Sequence, residues 1–142
     1  MNVSIFSRSA RFKRQLIPLF LDRISAGFPS PAQDYIERTL DLNELCVKHP
    51  AATFFVRVQG DSMIDVGIYP NDVLSVDRSL KAVHGDIVIA CLDSEMTVKE
   101  LALKPTMRLI PRNSAYEPID VSDGSELEIF GVVTNVIRTI RR

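Results

Sequence analysis

The stretch TFFVRVQGDSMIDVGIYPNDVLSVD, residues 53–77, decides how the chain is read. Its two ends, TFFVRV and DVLSVD, are short runs of β-branched and apolar residues of the kind that build strands. The segment between them is punctuated by Gly60, Gly67, Pro70 and Asn71 and reads as loop. Gly60 lets the backbone bend just ahead of Ser62, so that the turn presents a hydroxyl together with neighbouring N–H groups. A nucleophile and an oxyanion hole need those parts. A turn serine that only bonds its own backbone has the same local sequence, so the serine alone does not decide between them.

Toward the C-terminus the β pattern continues through DIVIACL, EMTVKELAL, TMRLIP and ELEIFGVVTNVI, separated by Gly, Asp, Asn and Pro turns. Six or more strands at this spacing predict a mostly β fold, a compact antiparallel β-barrel or folded sheet over residues 51–142. Toward the N-terminus the signals turn helical. In SPAQDYIERTL, Ser30 is a candidate N-cap, Pro31 fits the first helical position and Gln33 completes a capping box, which predicts a short helix over residues 31–40. DLNELCVKHP repeats the device with Asp41 and Glu44, giving another turn or two that Pro50 stops. Residues 30–50 are therefore expected to form a short helical segment. Residues 1–29 lack sustained periodicity, contain Pro18 and Pro29, and read as a flexible arm.

A chain of 142 residues fits one domain with an appended arm, and 46% hydrophobic content with a net charge of -1 is ordinary for a soluble globular protein. That charge is unevenly spread. Residues 1–25 carry five basic groups and one acid, whereas the rest of the chain carries 12 basic and 17 acidic groups. The apolar run LIPLFL is too short for a bilayer span or for the apolar core of a signal peptide, so a cytoplasmic protein without a membrane partner is expected. Cys46 and Cys91 lack CxxC spacing and are expected to be reduced thiols. Asp61, Asp65, Asp72, Asp77 and Asp86 have neither EF-hand nor paired-ligand spacing, so no metal and no cofactor are expected.

A serine nucleophile needs a base. His49, in the helix-stopping KHP, and His84, in the turn VHGD, sit in typical surface contexts without a partner motif. Lys99 is the more unusual residue. In MTVKELAL the alternation puts Lys99 on one face with Thr97, Leu101 and Leu103, so its side chain is expected to point inward, where burial favours the neutral amine. A lysine that lays its stem on apolar surface and keeps its amine in water reads the same way locally.

At this point the motifs GFPSPAQDYIERTLDLNEL, GDSMIDVGIYPND, HGDIVIA, TVKEL, LIPRNSAYEPI and FGVVTNVI, in that order, resemble UmuD-like subunits of translesion polymerases, from about Ile17 to the C-terminus. These belong to the LexA-like family of self-cleaving serine peptidases. The resemblance implies a LexA C-terminal-like peptidase body, Ser62 as nucleophile, Lys99 as general base, and the Ala26–Gly27 bond as the substrate. Ala–Gly stands here where UmuD itself has Cys–Gly. It also implies stimulation by the RecA filament on single-stranded DNA, a homodimer, and a processed product that joins a UmuC-type polymerase in DNA-damage mutagenesis. A repressor of the family needs a helix-turn-helix ahead of the bond, and 26 residues containing Pro18 are too few for one, so no direct sequence-specific DNA binding is expected. A non-enzymatic polymerase accessory with a silent Ser–Lys pair is the other reading.

Overall fold

The computed structural model describes residues 3–6, 13–20, 36–121 and 126–141. The chain divides into two units, residues 9–48 and a β body formed by residues 1–8 together with 49–142.

In the body the strands begin with β1, Val3–Phe6. In the other unit follow β2, Ile17–Phe20, and β3, Ile36–Leu40. The body resumes with β4, Thr53–Val58, β5, Val73–Asp77, β6, Ile87–Leu92, and β7, Glu95–Ala102. It closes with β8, Arg108–Ile110, β9, Ile119–Asp120, and β10, Leu127–Ile137. Among the described residues, eight of these strands form one sheet in the order β1-β4-β5-β10-β6-β7-β8-β9, and every pairing in it is antiparallel. The protein is mostly β, as its alternating runs predict.

Local chemistry sets the joints of this sheet. β6 and β7 are joined by Asp93 and Ser94, both at positive φ (48° and 72°), the backbone that a two-residue hairpin of the type I′ class requires. β10 pairs with β5 along one edge and β6 along the other, and its register shifts between Ile129 and Gly131 and again between Val133 and Asn135. Gly131 is required there: a Cβ on it would lie 2.6 Å from Val76 Cγ1 and 3.1 Å from the Asp77 carbonyl oxygen.

The core lies on both faces of the sheet. Ile89 of β6 and Val98 of β7 pack with Val56, Val58, Met63, Ile68, Leu74 and Val76, whereas Val88 and Ala90 of β6 pack with Leu101, Leu109 and Val132. Alternate residues of one strand thus feed two apolar clusters, which is how a folded sheet buries nearly continuous apolar runs such as IVIA.

The smaller unit departs from expectation. Residues 36–40, expected as the end of a helix, are β3, which pairs with β2 from Ile17↔Leu40 to Phe20↔Ile36. β-branched Ile36 and Thr39 suit a strand, and IPLF, expected within an irregular arm, supplies the partner. The proposed cap residues Ser30, Pro31 and Gln33 lie outside the described residues. Pro18 is tolerated because in a two-stranded ribbon each strand is an edge. The helix begins later, as α1, Leu42–Cys46.

Asp41 caps α1 by accepting from Asn43 N–H at 2.8 Å, and its other oxygen accepts from Gln15 N–H at 3.1 Å. Glu44 does not complete a capping box; its carboxylate pairs with Arg14 at 2.5 Å. The helix ends at Cys46, ahead of Pro50, which instead opens a 3-10 turn, Pro50–Ala52.

Candidate active site

β4 ends at Val58, and Gly60, with φ of 86°, turns the chain so that Ser62 follows directly on the strand end. Met63, the next residue, is fully buried in the core cluster that includes Val56 and Val98, which anchors the turn from beneath. Ser62 itself is fully buried.

β7 supplies Lys99, which lies opposite the fully buried Val88 of β6 and is only 6% exposed. The buried amine reaches Ser62, 37 positions earlier, at 3.1 Å between Nζ and Oγ. Thr97 Oγ1 at 2.8 Å and the Val98 carbonyl oxygen at 3.1 Å complete its surroundings. The sequence places Thr97 on the same face of β7 as Lys99, two positions away, without assigning it a role at the amine.

Burial pushes the Lys99 amine below its ordinary pKa, because the ammonium loses its hydration. Among the described residues no carboxylate lies within ion-pair range of it; the adjacent Glu100 is paired with Arg112. The hydrogen bonds suit both protonation states. The ammonium donates to Ser62 Oγ, Thr97 Oγ1 and Val98 O. After loss of a proton, two N–H groups serve Thr97 and Val98, and the lone pair is left to accept from the Ser62 hydroxyl. Such an arrangement can take a proton from Ser62 without moving either residue.

The other residues singled out in the sequence lie in different surroundings. His49 Nδ1 is 2.5 Å from Asp77 Oδ2, and His84 Nδ1 accepts from Leu103 N–H at 2.9 Å, so each histidine is engaged away from Ser62. Asp72 is paired with Arg138, Asp86 accepts from Val83 N–H, and Asp61 accepts from Tyr116. Ala26 and Gly27 lie outside the described residues. Cys46 and Cys91 are not in a disulfide. No helix among the described residues is long and apolar enough to cross a membrane.

A mostly β body that presents a serine to a buried lysine has the architecture of a peptidase domain. The chain belongs to the Peptidase S24-like family, whose model matches residues 18–134. It is 51% identical over 136 residues to the protein MucA of Salmonella typhimurium, covering 95% of this chain and 93% of that protein. It is 53% identical over 124 residues to the protein SamA of the same species, covering 87% and 86% of the two chains. The LexA repressor of Alcanivorax borkumensis is 41% identical over 117 residues, which span 82% of this chain and 56% of the repressor.

Proposed function

We propose that the chain is a self-cleaving serine peptidase that cuts its own Ala26–Gly27 bond with Ser62 as nucleophile and Lys99 as general base. The observation that carries this reading is the 3.1 Å approach of a buried amine, without a counter-ion among the described residues, to the Ser62 hydroxyl. Membership of a peptidase family and similarity to both MucA and a LexA repressor support it.

In the reaction the neutral Lys99 amine takes the Ser62 proton as Oγ attacks the Ala26 carbonyl carbon, giving a tetrahedral oxyanion. Collapse breaks the bond to Gly27, whose nitrogen receives the proton from Lys99 and becomes a new amino terminus. Water then attacks the Ser62 ester and gives a proton to Lys99, which returns it to the leaving Ser62 Oγ, and the Ala26 carboxyl is released and ionises in solvent. Ala26 suits a small pocket, and Gly27 lets an extended backbone approach without a side-chain clash. β1 lies antiparallel along β4 with Val3 opposite Val58, and a scissile segment docking as an added strand would use the same kind of main-chain pairing.

The reading extends to biology through the same resemblance. In the cytoplasm of a DNA-damaged cell the RecA filament on single-stranded DNA stimulates cleavage, and residues 27–142 form a homodimer that joins a UmuC-type Y-family polymerase for error-prone translesion synthesis. The test is mass spectrometry of the full chain incubated with RecA-coated single-stranded DNA. A fragment beginning at Gly27 is expected, and absent from the Ser62→Ala protein. A chain that stays intact would leave only the role of a non-enzymatic polymerase accessory.

A further inference from the structure

The loop that follows β8 runs along the Ser62 turn and grips it on both sides. The Arg112 carbonyl accepts from Asp65 N–H at 2.8 Å, and Arg112 N–H reaches Met63 Sδ at 3.4 Å. On the other side of Ser62, Asn113 Nδ2 donates to the Asp61 carbonyl oxygen at 2.9 Å and the Tyr116 hydroxyl donates to Asp61 Oδ1 at 2.6 Å. Asn113 is itself locked: its Oδ1 accepts from Ala115 N–H at 3.0 Å, which fixes which end of the amide faces Asp61.

The Asp61 carbonyl and the Ser62 N–H belong to one peptide plane, and that peptide is trans. Holding the carbonyl oxygen therefore also sets the direction of the Ser62 N–H, which points the opposite way. When an oxyanion forms on a carbon bonded to a serine oxygen, that serine's own N–H is a natural donor to it.

We infer that Asn113 and Tyr116 are positioning residues, which clamp the Asp61–Ser62 peptide so that the Ser62 N–H stays aimed at the oxyanion. The inference rests on the reading of Ser62 as nucleophile. The clamp makes and breaks no covalent bond; it removes the need to order this peptide as charge develops. Asp61, by its hydrogen bond first and its charge second, holds the Tyr116 phenol above its ordinary pKa, so the donor persists into alkaline solution.

The test is the first-order self-cleavage rate of the full chain from about pH 7 to 10.5, read as a limiting rate and an apparent pKa, with thermal midpoints measured alongside. Asn113→Asp keeps the acceptor for Ala115 N–H but sets a carboxylate oxygen where the amide donated, so the Asp61 carbonyl loses the side-chain half of its hold, keeps only the longer bond from Ile64 N–H at 3.4 Å, and is repelled from that side. It is expected to lower the limiting rate about 10- to 100-fold at unchanged apparent pKa. Tyr116→Phe is expected to cost about 3- to 10-fold. Combining Asn113→Asp with Tyr116→Phe should cost little more than Asn113→Asp alone, because both act through one peptide.

Unsubstituted limiting rates in both single variants overturn the clamp, and so does a loss that disappears at higher pH, which would put the defect on Lys99. If Asn113→Asp does not fold, Tyr116→Phe, at a side chain on the surface, decides the matter. An unsubstituted chain that yields no Gly27 terminus, or a Ser62→Ala chain that yields one, overturns the nucleophile reading as well. Cleavage of the unsubstituted chain beside undiminished variants overturns the clamp alone.

Discussion

Asp72 and Lys99 are both buried ionisable side chains of the β body, 1% and 6% exposed, and their surroundings are opposite in kind. Asp72 receives Nε and one terminal nitrogen of Arg138, each at 2.6 Å, together with the Tyr69 N–H at 2.8 Å. Arg138 in turn donates to the Gly67 carbonyl and lies 4.5 Å above the Tyr69 ring. Burial by itself would raise the Asp72 carboxyl, but the hydrogen bonds and charge of Arg138 and the Tyr69 N–H outweigh it and hold the pKa below its ordinary value. Lys99 has hydroxyls and a carbonyl but, among the described residues, no opposite charge, so burial dominates and the pKa moves toward the neutral form. A charge that serves structure is matched with its opposite; a group that has to give and take a proton near neutrality is better left without one.

The largest expected effect breaks this comparison at the lysine. Lys99→Ala and Ser62→Ala should each lower self-cleavage by at least about 10⁴-fold while the chain stays folded, and the double variant should be no worse than either. In the unsubstituted chain without a partner, the rate should climb about tenfold per pH unit until the Lys99 pKa is passed. A plateau below about pH 8 would rule out a lysine of near-normal pKa as the titrating base, and time courses of fragment mass across the pH range decide it.

A smaller effect is expected at the matched charge. Arg138→Ala strips Asp72 of its counter-ion and should lower the stability of the body at neutral pH, by less than a fully buried pair would, because the arginine side chain is 44% exposed. The sign with pH follows from the depressed carboxyl. Its stabilisation is present above the unfolded value of about 3.9 and is lost as pH falls through the folded value, so the two chains should converge in acid. Urea midpoints at pH 7 and near pH 3 measure this.

The smallest effect runs the other way. A lysine whose folded pKa lies below its unfolded one costs stability at neutral pH, a cost that fades as pH rises toward about 10.4. Lys99→Met should therefore stabilise the chain at pH 7 by on the order of 1 kcal/mol, with the gain shrinking toward pH 10. If thermal midpoints showed Lys99→Met less stable at every pH, the amine would be a structural group like Asp72.

Much of this was legible in the residues, and the boundary between what was and what was not is physical. TFFVRV corresponds in full to β4, and the other five β runs each contain a strand of the sheet, because half-buried and buried strands impose their own alternation on the sequence. The glycine before Ser62 and the alternation around Lys99 marked two candidate residues for the same local reasons.

Where a partner far along the chain decides, local signals fail. Residues 36–40 carry plausible helix signals upstream, yet they form a strand because residues 17–20 supply the other half of a ribbon. Asn113 and Tyr116 lie 52 and 55 positions from Asp61, with nothing in RNSAY to name their target.

The sequence by itself determined the class of fold, the turn that carries Ser62 and the face of β7 that carries Lys99, since each depends on residues a few positions apart. Only the tertiary structure decided that these two side chains meet at 3.1 Å, that Lys99 lacks a counter-ion among the described residues, and that Asp72 has one, because each follows from sheet register over tens of residues. Burial and the partners it selects are properties of the packed sheet, so the protonation chemistry of Ser62 and Lys99 is set there.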